Sequence, residues 1–248
     1  GHCSNLFPRI VPIAMATSKV FLDIDIDGEL AAFQLGQAFV EANDIKYSLS
    51  SKDVLALGGS EISRLPELFE SDYEWSQKGL ALFKPPEQRV VIELFEKESP
   101  LACANFKAFC TGEKGKSKES GKEMCYKNVP FHRIIKGFMM QGGDFVTHTG
   151  AGGESIYGKK GFKDDAGGLK LKHDARGVVS MSNTGKNSNT CQFFITFSDQ
   201  SKLNGKHVVL GRVIEGMEVI DRVEAETSTE AESKPLKPVT IVDCGILK

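Results

Sequence analysis

The segment 131–145, FHRIIKGFMMQGGDF, places a single arginine, Arg133, in a short apolar stretch that is followed at once by a second one. Glycines at 137, 142 and 143 bracket the second stretch, so two short strands joined by turns are predicted. A guanidinium between apolar strands must be paired or must face an open site, because burying it unpaired is very costly. Taken alone, such an arginine is more often an outer-face residue or an ion-pair partner, and both interpretations stay open at this point.

The bulk composition excludes several classes of protein. The chain has 248 residues and a net charge of −2, which suits one large β domain, or one domain of about 165 residues with a smaller unit. No apolar run of about 18 residues predicts a membrane span, and no basic excess predicts nucleic-acid binding. The six cysteines form no Cys-x-x-Cys pair, so we expect no metal or cofactor, and reduced thiols in a cytoplasmic compartment. Residues 1–18 are interpreted as a loose lead or tag remnant.

Most of the chain is predicted to form short strands separated by glycine-rich turns. Val20–Ile26 alternates apolar and acidic residues and then meets Asp27-Gly28, a pattern typical of a strand entering a hairpin. Two helices are predicted, one from Ser99-Pro100 to about Cys110 and one from Met217 to Ala225. This mixture favours an all-β fold, a closed antiparallel barrel with helical caps.

Residues 34–88 differ in character from the rest. They contain nine acidic and five basic residues, a net charge of −4, so the remaining residues sum to +2. Helix-compatible pieces occur at 35–43, 53–57 and 61–73, and the only tryptophan, Trp75, lies among them. A connection this long should carry its own structure or be mobile. It would dock an unknown protein partner, cover a barrel face, or be a solvated elaboration, and the sequence leaves these three alternatives open.

The order of motifs resembles the cyclophilins, the cyclosporin-binding peptidyl-prolyl cis-trans isomerases. Besides the opening segment, the resemblance rests on Val20–Ile24, Asn105–Phe109, Thr111–Gly115, Gly177–Asn183, Gln192–Thr196 and Leu203–Gly211. It covers roughly 175 residues and implies a closed eight-stranded antiparallel barrel capped by two helices. Here the barrel domain would span 19–248 and be interrupted by a partly helical insertion at 34–88.

The resemblance also implies roles for individual residues. Arg133 falls on the family's catalytic arginine. The proline pocket falls on Phe138, Met139, Phe194, Leu203 and His207. Other positions along the substrate groove fall on Gln141, Gly150, Ser182, Asn183, Thr184, Gln192 and Lys202.

Besides the insertion, one of these positions and one loop depart from the common pattern. Lys202 stands where many members carry a tryptophan that bonds cyclosporin, so we expect weakened cyclosporin binding. The long loop 116–126 resembles a divergent-loop subgroup, which also has a glutamate matching Glu154 and cysteines matching Cys110 and Cys244. Those two cysteines are therefore interpreted either as a redox-sensitive pair or as two reduced thiols.

The expected function is that of a monomeric isomerase acting on proline-containing peptides and unfolded proteins during folding. The alternative is a proline-binding scaffold whose turnover is weak or blocked, with a partner docking through the insertion. The complete set of pocket residues around Arg133 favours the enzyme.

Overall fold

A computed structural model describes residues 18–158, 161–228 and 233–247. The predicted N-terminal lead lies outside these ranges except for Ser18. The described strands are β1 (Lys19–Ile26), β2 (Arg89–Leu94), β3 (Val129–Pro130), β4 (Arg133–Ile135), β5 (Met139–Gly142), β6 (Val178–Met181), β7 (Phe193–Thr196), β8 (Val209–Glu215) and β9 (Val239–Leu247). The helices are α1 (Glu29–Asn43), α2 (Gly59–Ile62), α3 (Leu65–Ser71), α4 (Tyr73–Ser76), α5 (Pro100–Thr111) and α6 (Met217–Thr227).

All the described strands belong to one antiparallel sheet, in the order β3-β9-β1-β2-β8-β6-β7-β5-β4. Its two edge strands, β3 and β4, are consecutive in the chain and are separated only by Phe131 and His132. So short a connection holds the edges within about 10 Å of each other, and the sheet must therefore curl round on itself. A mainly β, antiparallel fold is thus confirmed. The described sheet has nine strands where the resemblance implied eight, and no ladder joins β3 to β4 within it.

The concave side of the sheet encloses a large apolar core that α5 and α6 cover. Phe106 of α5 reaches its centre, where its ring centroid lies 5.0 Å from Phe193 and 5.2 Å from Tyr126. The buried hydroxyl of Tyr126 donates to the Cys191 carbonyl at 2.7 Å, so it carries no unpaired polar group into the core. Both predicted helices are confirmed, and no helix in the described ranges is long and apolar enough to cross a bilayer.

The predicted hairpin at Asp27-Gly28 is wrong, although the predicted turn exists. Asp27 and Gly28 both have positive φ, 58° and 82°, but the chain then enters α1 directly. The cause is the side chain of Asp25, whose carboxylate accepts the N–H groups of Gly28 at 3.0 Å and Leu30 at 2.7 Å. These are unpaired donors of the first helical turn. The predicted boundary at residue 34 therefore falls inside a helix that begins at Glu29.

Residues 29–88, called the inserted unit below, fold around a hydrophobic core of their own. Phe39 of α1 is fully buried at its centre, and its ring lies 5.2 Å from Phe69, 5.6 Å from Trp75 and 6.1 Å from Phe83. The predicted helical pieces are present as α1, α2, α3 and α4 with a short 3-10 turn at Val54–Ala56. The unit is thus a small helical subdomain between β1 and β2.

Candidate active site

A small pocket lies where β4, β5 and β7 meet the 3-10 turn Ser201–Leu203. Its volume is about 130 Å³, below the 300–1,000 Å³ of typical drug-sized sites, and suits a single small ring. It is lined by Arg133, Phe138, Met139, Gln141, Ser182, Asn183, Phe194, Leu203 and His207. The structure therefore brings together the five residues predicted for the proline pocket and places Arg133 beside them.

A second, more polar pocket of about 410 Å³ continues from the first. The two share Arg133, Gln141, Ser182 and Asn183, so they form one groove. Gly150, Thr184 and Gln192, all predicted along the groove, line the larger pocket. No residue of the inserted unit lines either pocket, as far as the described residues go.

The floor of the groove is a chain of hydrogen-bonded side chains. Arg133 Nη1 donates to Gln141 Oε1 at 3.5 Å, the outer limit of a hydrogen bond. Gln141 Nε2 donates to Ser182 Oγ at 3.0 Å and to Gln192 Oε1 at 2.9 Å. Gln192 Nε2 in turn donates to the Gly150 carbonyl at 3.0 Å. Both glutamine amides are fixed in this way, while the remaining N–H groups of the guanidinium have no hydrogen-bond partner among the described residues.

The main chain of Asn183 is available to a bound peptide. Its side chain is occupied, since Nδ2 donates to the Lys206 carbonyl at 2.9 Å and Oδ1 accepts the Gly185 N–H at 3.2 Å. Within the described ranges neither its main-chain N–H nor its carbonyl has a hydrogen-bond partner. An extended segment lying in the groove would therefore find both a donor and an acceptor there.

His207 contributes shape and not acid–base chemistry. Its Nδ1 lies 3.0 Å from the Met181 carbonyl, which only accepts, so Nδ1 carries the proton. Burial lowers the pKa of His207 below its usual 6.5, which keeps the ring neutral at pH 7. The ring meets Phe194 edge-on, with a centroid separation of 5.3 Å.

His173, which sequence reasoning missed, supports this wall of the pocket from behind. It stacks on Phe194 with centroids 5.9 Å apart. It also contacts Ser180 Oγ at 2.8 Å and Asn204 Oδ1 at 3.1 Å. It is completely buried, and nothing in the surrounding sequence distinguishes it from an ordinary core histidine.

A second missed residue, Asp144, shapes the far wall of the larger pocket. Its carboxylate accepts main-chain N–H groups from Thr147 at 3.0 Å, Gly150 at 2.9 Å and Gly152 at 3.0 Å. Burial alone would raise the pKa of Asp144, but the bonds from Thr147, Gly152 and Gly150 lower it to about 2. An aspartate followed by a Thr- and Gly-rich loop is a recognisable signal for such a turn. Gly152, Gly153, Ser188 and Thr190 also line this pocket and were not predicted.

Gly150 is required by close approach as well as by conformation. Its φ is +89°, and a Cβ there would lie 2.6 Å from His132 Nε2. Any side chain would push the loop away from the groove, because it would have to displace a packed ring.

The predicted Lys202 lines neither pocket. Its Nζ instead lies over the ring of Phe138, 4.4 Å from the centroid. The cysteines Cys110, in α5, and Cys244, in β9, are free thiols that line neither pocket, and Cys125 lies near Cys244. Within the described ranges, no three His, Cys, Asp or Glu side chains converge on a position that could hold a metal ion.

Comparison with known proteins points to one family. The family model described as cyclophilin type peptidyl-prolyl cis-trans isomerase/CLD matches residues 83–246. A peptidyl-prolyl cis-trans isomerase of Rhizopus delemar is 50% identical over 159 residues, which are 64% of this chain and 46% of that protein. The NK-tumor recognition proteins of Mus musculus and Homo sapiens are each 48% identical over 164 residues, 66% of this chain and 11% of those proteins. The chain thus spans between about a tenth and a half of the length of these curated relatives.

Proposed function

The chain belongs to the cyclophilin-type peptidyl-prolyl cis-trans isomerase family, and from that premise we propose that it accelerates rotation about X–Pro peptide bonds in peptides and folding proteins. One observation carries the proposal. Arg133 lines a small pocket sized for one ring, and among the described residues the only hydrogen bond of its side chain is a long one to Gln141. The described residues give it no carboxylate partner, unlike an arginine kept for an ion pair.

Rotation about an X–Pro bond breaks no covalent bond. The barrier of about 18–20 kcal/mol is the resonance lost when the amide twists, and uncatalysed turnover takes tens to hundreds of seconds. A catalyst has to immobilise the ring, hold the flanking chain and stabilise the twisted amide.

The groove offers a group for each task. Phe138, Met139, Phe194, Leu203 and His207 surround the ring. The main chain of Asn183 and the amide of Gln141 hold the neighbouring backbone. In the twisted state the prolyl nitrogen regains its lone pair and becomes an acceptor for the guanidinium of Arg133. That bond speeds the reaction because it is made to the twisted state and is absent from both planar states.

Replacing Arg133 tests the proposal. A single preorganised donor contributes about 3–4 kcal/mol, so Arg133→Ala should lower kcat/KM for a proline peptide by about 10²- to 10³-fold. The matched control is Arg212→Ala, which removes a strand arginine that pairs with Glu93 at 3.0 Å and lines neither part of the groove. That control should retain the wild-type rate.

Two results would contradict the isomerase. Equal rates for wild type and Arg133→Ala would remove the catalytic assignment. Binding of a proline peptide by the wild type without any turnover would favour the scaffold, the alternative that the sequence left open.

A closed eight-stranded barrel is part of the proposal. It is supported by β3 and β4, which are separated only by Phe131 and His132. If these two short segments are counted as one interrupted strand, the nine described strands become eight. The main-chain N–H of Ile134 in β4 is bonded to the Ser233 carbonyl at 2.8 Å, which covers that edge. Hydrogen exchange should accordingly find the amides of β4 protected, and free exchange there would indicate an open half-barrel.

The proposal extends to cyclosporin and to the cysteines. We expect cyclosporin to bind, more weakly than to relatives with tryptophan at position 202, and a titration beside the rate assay measures this. For Cys110 and Cys244 both alternatives are kept, a redox-sensitive pair and two reduced thiols; burial raises the pKa of Cys244 to about 12, and that of Cys110 well above its ordinary value, which favours the reduced thiols. Thiolates are the reactive form, so oxidation should be slow; mass analysis after peroxide treatment would detect a bond.

Three expectations complete the proposal, and sequence reasoning alone supports them. The chain acts as a monomer in a cytoplasmic compartment and assists folding like a chaperone, and the inserted unit has a protein partner. Sedimentation tests the monomer, and localisation of the tagged chain tests the compartment. Capture of proteins by the variant Arg133→Ala, whose isomerase site is disabled, tests for a partner of the inserted unit.

A further inference from the structure

The rim of the small pocket carries a second cation besides Arg133. Lys202 Nζ lies 4.4 Å from the centroid of the Phe138 ring, and Arg133 Cζ lies 6.0 Å from the same centroid. Lys202 is exposed and sits on the 3-10 turn whose next residue, Leu203, lines the pocket. The ring that forms one edge of the pocket is therefore flanked by two positive charges.

The turn that carries Lys202 is tied to the strand end that carries Phe138. Gln200 Nε2 donates to the Gly137 carbonyl at 2.9 Å, and Ser198 Oγ donates to the same carbonyl at 2.7 Å. The Phe197 N–H donates to the Phe138 carbonyl at 2.9 Å. The lysine's Cα is thus held at a fixed place beside the pocket, and only its side chain moves.

In the part of the chain that the structure describes, no carboxylate pairs with Lys202. Within the described residues, the ring of Phe138 is the only partner of the Lys202 side chain. Asp199, just before the same turn, stays charged, but its carboxylate accepts the Ser201 N–H at 2.9 Å and forms no ion pair with Lys202 among the described residues. Asp164, on the far side near His207, is occupied by the Asn187 N–H at 2.9 Å and by Asn189 Nδ2 at 2.8 Å.

The geometry also gives the direction in which Lys202 faces a bound chain. The larger pocket meets the small one at Arg133, Gln141, Ser182 and Asn183, and Phe138 does not line it. Lys202 therefore lies at the opposite mouth of the small pocket. Consider a bound peptide whose proline fills the small pocket. If the segment on one side of the proline enters the larger pocket, the segment on the other side must pass Lys202.

We infer that Lys202 is a specificity-determining residue. It selects X–Pro substrates that carry an acidic side chain next to the proline, on the side of the peptide that does not enter the larger pocket. The inference rests on the proposed isomerase function and names its substrate class, acidic proline peptides. Lys202 pairs with the substrate's carboxylate and does not touch the rotating bond. Its contact with Phe138 keeps the ammonium at the pocket mouth before substrate arrives, which lowers the entropy lost on pairing.

A peptide panel tests the inference. Two series place Glu, Gln or Lys immediately before or immediately after one proline, and kcat/KM is measured for each peptide. An exposed ion pair predicts about a two- to fivefold preference for Glu over Gln in one series only, declining as salt is added. Lys202→Met should abolish that preference, and Lys202→Glu should turn it towards the Lys peptide.

The matched control is Lys136→Met, which removes the same charge from an exposed turn two residues before Phe138 and outside both pockets. It should keep the wild-type ratio of Glu to Gln. The thermal unfolding transition, followed by circular dichroism, checks that each variant is folded, because Lys202 and Lys136 lie in the barrel while Trp75 emission reports the inserted unit.

The remaining outcomes separate the inference from the function on which it rests. If Lys202→Met lowers kcat/KM equally for every peptide, the lysine only covers Phe138 and the inference is overturned. If the wild type isomerises the Gln peptides without any preference for Glu, the inference is overturned and the isomerase stands. If the wild type turns over no peptide, the isomerase is overturned and the inference with it.

Discussion

The barrel and the inserted unit are both built around clustered aromatic rings, but the two clusters are assembled in opposite ways. The barrel joins Phe106, Tyr126 and Phe193 from distant parts of the chain. The inserted unit draws its rings, Phe39, Phe69 and Phe83, from residues 29–88 alone. The unit can therefore complete its core without any residue of the barrel, whereas the barrel needs both of its ends.

The two regions meet through a narrow joint. The unit enters after β1 and leaves before β2, and Asp23 lies opposite Arg89 in the register of those strands. Asp25 bonds both ends of the joint, since its carboxylate accepts the Leu30 N–H at 2.7 Å and Gln88 Nε2 at 2.9 Å. Because the ends already meet in the barrel, closing so long a connection costs little more than closing a short one. The site should therefore tolerate large changes in the inserted unit.

The largest test of this separation is Phe39→Ala. Removing a fully buried ring at the centre of the unit should cost about 3–5 kcal/mol. Trp75 is the chain's only tryptophan and its ring lies 5.6 Å from Phe39, so its emission reports the unit, while peptide isomerisation reports the barrel. The variant's Trp75 transition should move to much lower denaturant while isomerase activity is retained.

The matched control is Phe193→Ala, in the core of the barrel. It should abolish activity, because Phe193 packs on Phe106, Tyr126 and Phe131 beneath the groove. If Phe39→Ala instead lost isomerase activity at the same denaturant concentration at which its Trp75 emission changes, the two regions would fold as one unit.

Acidification should separate the same two regions without mutation. Burial lowers the pKa values of His132, His173 and His207 below 6.5, and none of the chain's five histidines lies in 29–88. The unfolded barrel therefore binds more protons than the folded barrel below about pH 6.5, so the free energy of unfolding falls as the pH decreases through that value. Burial raises the pKa of Asp165, which opposes the loss when the carboxyl groups begin to titrate.

The inserted unit should resist acid over a wider range. Its Asp72 accepts a hydrogen bond from Lys46 Nζ at 2.7 Å, which lowers the pKa of Asp72 to about 2. This contribution is present above the ordinary carboxyl pKa near 3.8 and is lost as the pH falls towards 2. In a pH series, activity and barrel stability should decline below 6.5 while Trp75 emission holds to about pH 4. A unit that loses its emission first would contradict this order.

The features that the sequence predicted and those that it missed also differ between the barrel and the inserted unit. The pocket residues around Arg133 and Phe194 were predictable because a resemblance covers them in order. The start of α1 was not, because Asp27-Gly28 has the same backbone geometry in a hairpin and at a helix start. What decides between the two is the carboxylate of Asp25 and its partner Gln88, 63 residues away. Likewise, the burial of Trp75 depends on packing against Phe39, which no local pattern encodes.

The support that His173 gives to Phe194 was also beyond prediction. It depends on Ser180 and Asn204, which approach the ring from other parts of the barrel. Asp144 could have been found, because the aspartate and the glycines that it bonds are close in sequence. Local signals thus predicted turns and helix pieces, and tertiary contacts decided how they were joined.

The smallest expected effect concerns the ion pair that crosses the joint within the described part of the chain. Arg222 of α6 pairs with Glu29 at the start of α1 and also with Glu226 at 3.0 Å. The side chains of Arg222 and Glu29 remain 31% and 25% exposed, and such pairs contribute about 0.2–1 kcal/mol. A double-mutant cycle with Glu29→Gln and Arg222→Met, followed through the Trp75 transition, should give a coupling energy below about 1 kcal/mol that weakens with salt. Because Glu226 still engages Arg222 when Glu29 is changed, the arginine is not left unpaired, which keeps the coupling small. A coupling of several kcal/mol would mean that α1 is stabilised mainly by the barrel, and the independence of the inserted unit would have to be abandoned.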